Sequence, residues 1–197
     1  MMDTPDQIRA KIEERFVRVA LEPHERQPFS IGPDSAKRLG YDAAEIDGLP
    51  PAVTESFAGV GNPLGLGEIG PGQTVLDLGS GAGMDSILAA RGVGPSGRVI
   101  GVDVTEAMLA KARRNASALG VENVEFRRAE ADSLPVPDGS MDLVISNGVF
   151  NLCLDKPKVL AEVFRALKPG GRFQMADILL DDDVTPREVE LKGAWSD

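Results

Sequence analysis

One strand-to-helix junction constrains this chain more than any other feature. Residues 75–85 read VLDLGSGAGMD, an apolar run that breaks into Gly79, Gly81 and Gly83 before helical sequence resumes. Glycines at such a turn reach positive φ without steric cost and let the backbone approach a ligand where a Cβ would clash. Downstream, short β-branched runs alternate with patterns of helical period, the arrangement of βαβ units around a parallel sheet. The pattern predicts strands over 74–78, 98–103, 123–128, 141–146 and 172–177, and helices over 84–91, 106–119 and 156–168. Thr105 and Asp155 stand at the N-cap positions of the last two helices. Gly120 and the pair Gly170 and Gly171 stand where helix C-caps favour glycine. The expected fold class is α/β, an open and mainly parallel sheet flanked by helices.

Upstream of this region, Ile8, Ile12, Phe16, Val17 and Val19 recur near the helical period within residues 5–20, which predicts an amphipathic helix packed on the main body. Residues 21–72 are richer in Pro and Gly and are expected to be irregular apart from a short helix around Pro33 to Leu39. The chain is therefore divided into a helical and loop-rich extension over 1–72 and a ligand-binding domain over 73–197. Its 31 acidic and 21 basic residues give a formal charge of −10, which repels a phosphate backbone. The basic groups at Lys111, Arg113, Arg114, Arg127 and Arg128 are interleaved with Glu106, Glu122, Glu125 and Glu130, as on a solvated face, so nucleic acid is not an expected partner. A single cysteine, Cys153, rules out an intrachain disulfide and a cysteine-built zinc site; no metal is expected, and a reducing compartment suits the chain. The acid-containing opening MMDTPDQIRAKIEERF is no secretory leader, and no run approaches the roughly 20 apolar residues of a membrane span. A cytoplasmic location is expected, and the sequence carries no reading of oligomeric state.

The spacing within the glycine turn separates two cofactors. A dinucleotide fingerprint, G-x-G-x-x-G, requires glycine at Met84, whereas G-x-G-x-G preceded by Asp77 is the pattern of S-adenosylmethionine enzymes. Taken alone, the turn also serves as a tight strand-to-helix connection. Asp103 closes the strand VIGVD twenty residues after Gly83, where an ionised carboxylate accepts from both ribose hydroxyls. Its competing roles are helix N-cap or solvent-facing strand end. Val104 and Met108 are assigned to the same nucleoside site. Glu130 and Ala131 follow the third strand, where the carboxylate accepts from the adenine amino group and the Ala131 N–H donates to a ring nitrogen; Glu130 by itself reads nearly as well as an exposed loop acid. The fourth strand delivers Ser146, Asn147 and Gly148 to the crevice where open α/β sheets bind ligands. The candidate cofactor residues are Asp77, Gly79, Ser80, Gly81, Gly83, Asp103, Val104, Met108, Glu130, Ala131 and Asn147, with Asn62 and Pro63 added below. The expected cofactor is S-adenosyl-L-methionine, and no catalytic residue is assigned.

Residues from about 73 to 177 resemble a class I methyltransferase domain, through D-x-G-x-G-x-G at 77–83, Asp103, AEADSLP at 129–135 and LKPGG at 167–171. A wider stretch, about 38–197, is similar to the arsenite methyltransferases through LGY at 39–41, GVGNP at 59–63, SNGVFNLCLDK at 146–156 and ADIL at 176–179. The resemblance implies a Rossmann-like fold, methyl transfer from the sulfonium of S-adenosylmethionine, and a small-molecule or metalloid methyl acceptor. In the arsenite family that acceptor is trivalent arsenic held by cysteine thiolates. Asn62 and Pro63 match that family's motif and are expected to line the site. Val60 and Gly148 stand where the family has cysteines, and QPFSIGP lacks its paired N-terminal cysteines. Soft thiolates are what bind a soft metalloid, and neither valine nor glycine replaces them. Cys153, five residues past Gly148, reads as a small buried hydrophobe. Tyr41 either orients an acceptor or staples the N-terminal segment, and His24 reads as an exposed residue rather than a base.

Three alternatives stay open: O-, N- or C-methylation of a small organic molecule, a cofactor-binding relative without catalysis, and an NAD-dependent oxidoreductase, the last disfavoured by the glycine spacing. The resemblance also implies a further helix and an antiparallel strand pair after the fifth strand, for which no sequence remains, so the sheet is expected to be truncated. Trp195 in ELKGAWSD resembles the family's stretch around a W-x-x-C motif, which places its cysteine just after Asp197. A selenocysteine codon read as a stop, or a genuine truncation, accounts for that ending.

Overall fold

The computed structural model describes residues 4–179. Five strands, β1 (Thr74–Leu78), β2 (Arg98–Asp103), β3 (Val124–Arg128), β4 (Met141–Asn147) and β5 (Leu167–Ala176), form one sheet in the order β3–β2–β1–β4–β5. Every neighbouring pair is parallel. Val75, Leu76, Val99, Leu143, Val144 and Ile145 are buried, because helices cover both faces; this is why the central strands read as continuous apolar runs rather than alternations. The chain leaves β1 toward β2 and β3, then returns to β4 on the other side. That reversal opens a crevice beyond the carboxyl ends of β1 and β4, where such sheets bind ligands.

Among the described residues seven helices accompany the sheet: α1 (Pro5–Leu21), α2 (Pro33–Arg38), α3 (Ala43–Asp47), α4 (Pro51–Thr54), α5 (Met84–Val93), α6 (Glu106–Ala118) and α7 (Lys156–Ala166). Helix α1 starts in a capping box, in which the Thr4 hydroxyl accepts from the Gln7 N–H and the Gln7 side chain accepts from the Thr4 N–H. Its Val19 and Ala20 pack with Ala82 and Met108, which docks the helix over the glycine turn and α6. The Asp155 carboxylate caps α7 by accepting from the Lys158 N–H, and Gly120, at φ +63°, ends α6 as expected. Thr105 sits at the N-cap of α6, but its hydroxyl makes no cap bond.

Residues 22–66 are more ordered than their composition implies. Helices α2 to α4 form there, two of them opening on Pro33 and Pro51, because proline is preset for the first helical turn as well as for loops. Ala36, Tyr41, Ile46, Leu49, Val53 and Phe57 from this stretch share one apolar cluster with Met84, Ile87, Leu88, Leu109 and Ala112 of α5 and α6. The Lys111 ammonium is buried beneath it and donates to Glu55 Oε1 at 2.6 Å, Ser56 Oγ at 2.8 Å and the Ala20 carbonyl at 3.2 Å.

The end of α7 corrects the sequence reading. The helix stops at Ala166 rather than 168, and β5 begins at Leu167 rather than 172. Met141 pairs with Leu167 while Leu143 pairs with Arg172, so Lys168 to Gly171 are accommodated as a bulge against β4. Gly170 takes φ +80°, and a Cβ on Gly171 would stand 2.9 Å from the Lys168 carbonyl. These two glycines shape the bulge and do not cap the helix. No described helix is long and apolar enough to cross a membrane. The segment around Trp195, and with it the expected truncation and the selenocysteine reading, lies outside the described residues.

Candidate functional site

The carboxyl ends of β1, β2 and β4, roofed by α1, enclose a cavity of about 220 Å³. Its floor is the glycine turn, where the N–H groups of Gly79 and Ser80 both donate to the Val102 carbonyl, at 2.8 and 2.9 Å. Gly79, at φ +75°, leaves no room for a Cβ beside the Val149 side chain. Gly81, at φ +51°, has nothing within 4 Å of a notional Cβ, so a side chain there would project into open space.

Asp103 ends β2 and turns into this cavity. The Gly81 N–H donates to its Oδ2 at 2.9 Å and the Thr105 N–H to its Oδ1 at 2.8 Å. Each oxygen keeps a further acceptor position, because a carboxylate offers about four lone-pair sites. Burial raises this carboxyl above its ordinary range, and the Thr105 and Gly81 N–H groups oppose the rise. Beside it, the hydroxyls of Ser80 and Thr105 are buried on the cavity wall without a hydrogen-bond partner among the described residues. Buried hydroxyls are almost always paired, so these two leave hydrogen-bonding capacity on the cavity wall.

The structure brings Gly79, Ser80, Gly81, Asp103, Val104, Met108, Glu130, Ala131 and Asn147 to this one cavity. It does not bring Asp77, Gly83, Asn62 or Pro63 to its wall. Asp77 lies under the turn, buried, and accepts from the Ser86 hydroxyl. Its carboxyl is pushed up to about 8, by burial first and by the neighbouring Asp85 charge second. Gly83, at φ +89°, starts α5, where a Cβ would stand 2.9 Å from Phe126 and 3.0 Å from Ala112. Asn62 accepts from the Gly65 N–H at 3.2 Å and donates to the Gly40 carbonyl at 3.0 Å, capping a short 3₁₀ turn over Pro63–Leu66. The Pro63 carbonyl accepts from Gln174 Nε2 at 2.8 Å, fastening that turn to β5.

Asn147, at the end of β4, binds protein on every side. Its Oδ1 accepts from the N–H groups of Val60 and Gly61 at 2.8 and 3.2 Å, and its Nδ2 donates to the Gly61 carbonyl at 2.9 Å and to Asp85 Oδ2 at 3.1 Å. The Tyr41 hydroxyl, 3.1 Å from Nδ2, donates to Asp85 Oδ1 at 2.6 Å. A side chain at Gly59 would overlap the Asn147 amide. Asn147 thus clips the 59–61 loop to the sheet. Tyr41 is buried away from the cavity wall, edge-on to Phe57 at 5.3 Å, which fits the staple of its two expected roles.

Sequence reasoning missed three contributors to the cavity. Arg9, Ile12, Glu13 and Phe16 of α1 line it, although the helix reads as core packing. Asp85 lies on the wall, and its only sequence signal is an acid in the first turn of α5 without a nearby basic residue. Thr105 reads as a cap, and nothing local shows that its hydroxyl is left over. Val60 and Gly148 meet at the cavity's edge, where a Cβ on Gly148 would stand 3.3 Å from Val60 Cγ1. Cys153 is half-buried on the wall, donates to the Val149 carbonyl at 3.3 Å, and has its thiol pushed up to about 11 by burial. His24 is exposed, 3.6 Å from Glu55 and outside the cavity. Among the described residues, no group of three or more His, Cys, Asp or Glu is placed to hold a metal ion.

A family model described as a methyltransferase domain matches residues 69–196. The arsenite methyltransferase of Halobacterium salinarum is 48% identical over 162 residues, covering 80% of this chain and 41% of that protein. The arsenite methyltransferase of Aquipseudomonas alcaligenes is 44% identical over 154 residues, covering 68% of this chain and 44% of that protein. The crystal structure of an arsenic(III) S-adenosylmethionine methyltransferase from Chlamydomonas reinhardtii matches with a TM-score of 0.69 at 39% identity, covering 76% of this chain and 52% of that one. The chain spans less than half the length of the two curated relatives. Its parallel sheet, its glycine turn and its match over most of its length agree: the chain belongs to the methyltransferase-domain family and has that family's Rossmann-like fold.

Proposed function

We propose that this chain binds S-adenosylmethionine in the cavity beyond β1 and β2 and directs its methyl group to a small acceptor. The observation that carries this reading is Asp103, pinned by two backbone N–H groups with acceptor positions to spare, between the unpartnered hydroxyls of Ser80 and Thr105. A ribose edge supplies donors to the carboxylate, and the polar groups of a nucleoside and its amino-acid tail supply partners for the hydroxyls. Glu130 and Ala131, also on the wall, are assigned in this reading to the adenine edge, while Val104 and Met108 add apolar surface.

The charge of the wall supports the same reading. Glu13, Asp85, Asp103, Glu130, Asp132 and Asp155 outnumber Arg9 and Arg128, and Arg128 is itself paired with Glu13 at 3.2 Å. Such a surface favours a sulfonium and ammonium over a pyrophosphate. Met84, buried where a dinucleotide fingerprint needs its third glycine, disfavours a nicotinamide cofactor for a separate reason.

When bound, S-adenosylmethionine supplies a methyl group on a positively charged sulfur, and attack in line by the acceptor forms the new bond as the carbon–sulfur pair returns to sulfur. The protein's part is alignment and exclusion of water. Asp103 and the glycine turn fix the nucleoside end. Asn147 holds the 59–61 loop across the cavity, and α1 roofs it with Ile12 and Phe16.

Arsenite is the second reading of the acceptor, favoured by the activity for which the two curated relatives are named. A cytoplasmic setting belongs to the proposal and is supported by the single cysteine. The test is calorimetric titration of the purified chain with S-adenosylmethionine and S-adenosylhomocysteine, followed by methyl-labelled donor offered with arsenite and a panel of small O-, N- and C-nucleophiles. Saturable one-site binding with transfer to one acceptor is expected. Cofactor binding without any product would reassign the chain as a binding protein.

A further inference from the structure

Beyond Gly59 and Gly148 the cofactor cavity adjoins a second one, of about 240 Å³. The two share Phe16, Ala58, Gly59, Gly148 and Leu152 as walls. We propose that this second cavity binds the methyl acceptor and is built for a compact aromatic carboxylate that also carries a hydroxyl or amino group. The proposal rests on the methyl-donor reading above, since its place beside the donor makes the cavity the acceptor's.

Three observations define the ligand. First, Phe16 and Phe29, with ring centroids 6.4 Å apart and planes inclined at 33°, stand with Leu39 and Leu152 as apolar walls on which a flat ring packs. Second, Arg38, in the last turn of α2, lines the same cavity and makes no ion pair among the described residues. Its neighbour Lys37, by contrast, is bound to Asp47 at 2.6 Å and to Asp34 at 3.7 Å. An unpaired guanidinium at the rim of an apolar chamber presents a planar fork of donors that matches a carboxylate. Third, the Asn151 side-chain oxygen on the cavity wall is buried without a donor among the described residues, while its backbone N–H is used by Asp177. That oxygen accepts from a ligand hydroxyl or amine and offers nothing to a second anion.

Gly148 and Val60 stand where the two chambers adjoin. Gly148 adopts φ +70°, and the space in front of it ends on the Val60 methyls. A hydrogen atom and two methyl groups at this point suit a carbon-based ligand that fits by shape. They give a metalloid no atom to bond.

The experiment titrates the S-adenosylhomocysteine-loaded protein with 2-hydroxybenzoate and with its neutral analogue 2-hydroxybenzyl alcohol. Wild type is expected to bind the carboxylate at least tenfold more tightly. In Arg38→Gln that preference is expected to vanish while affinity for S-adenosylhomocysteine is unchanged. Phe29→Ser is expected to weaken both probes several-fold. Failure of 2-hydroxybenzoate to bind the loaded protein, or equal preference in wild type and Arg38→Gln, would overturn the proposal. Failure to bind S-adenosylhomocysteine at all would instead overturn the methyl-donor reading, so the two outcomes are separate.

Discussion

Asp77 and Asp103 occupy equivalent places, each near the carboxyl end of a central parallel strand, yet their partners give them opposite roles. Asp103 is gripped by two backbone N–H groups and turned into the cavity. Asp103→Ala is therefore expected to weaken S-adenosylmethionine and S-adenosylhomocysteine by about 1.5–3 kcal/mol, the scale of hydrogen bonds to a charged group, measured by calorimetry. Asp77 is sealed beneath the turn against Ser86, and its carboxyl rises from an ordinary 3.8 to about 8. Between those values the folded protein keeps a proton that the unfolded chain has released, so this group's contribution to stability falls as pH rises through the window. Asp77→Asn removes that titration. The melting temperature of the variant relative to wild type is expected to climb from about pH 4 to about pH 8; a constant difference would show that Asp77 is ionised throughout. The sequence made Asp103 legible through its distance from the glycines. It did not distinguish Asp77, because a strand-end acid looks the same whether it meets a ligand or a serine nine residues on.

At the scale of elements, what the sequence hides are pairings between distant segments. The stretch LKPGG has the composition of a helix C-cap, and only the register of Met141 and Leu143 against Leu167 and Arg172 shows it to be a bulge. Helices α2 to α4 are concealed for a different reason: the prolines that mark a loop by composition are the residues that open two of them. The clamp made by Lys111 is equally non-local. It joins α6 to Glu55, Ser56 and the end of α1, with a side chain only 7% exposed against 23% for Glu55. Lys111→Met keeps the aliphatic stem and strands Glu55 and Ser56. Breaking a buried pair costs roughly 3–5 kcal/mol, and the partial exposure of Glu55 reduces this to about 2–3 kcal/mol. Urea denaturation should show a loss of that size, changed little by added salt because the ammonium lies out of solvent.

For the molecule as a whole, the parallel sheet, the crevice and nine of the residues lining it follow from local pattern. The second chamber does not, since its lining comes from α1, the 29–30 loop, α2, the 58–60 loop, residues 148–152 and Ile178. On the proposal above the acceptor is decided in that chamber, and the last prediction belongs to the same scale. A trivalent metalloid is held by soft thiolates, and the 197-residue chain has one cysteine. Burial pushes that thiol up to about 11, so it stays protonated at neutral pH and is a poor ligand. The two positions where the chambers adjoin, Val60 and Gly148, carry only methyl groups and hydrogen. With labelled S-adenosylmethionine and arsenite, the chain is expected to form methylarsenite at no more than background, and Cys153→Ser should change nothing. Vigorous methylarsenite formation by both proteins, read by chromatography with mass detection, would mean that this chamber holds arsenic without any thiolate.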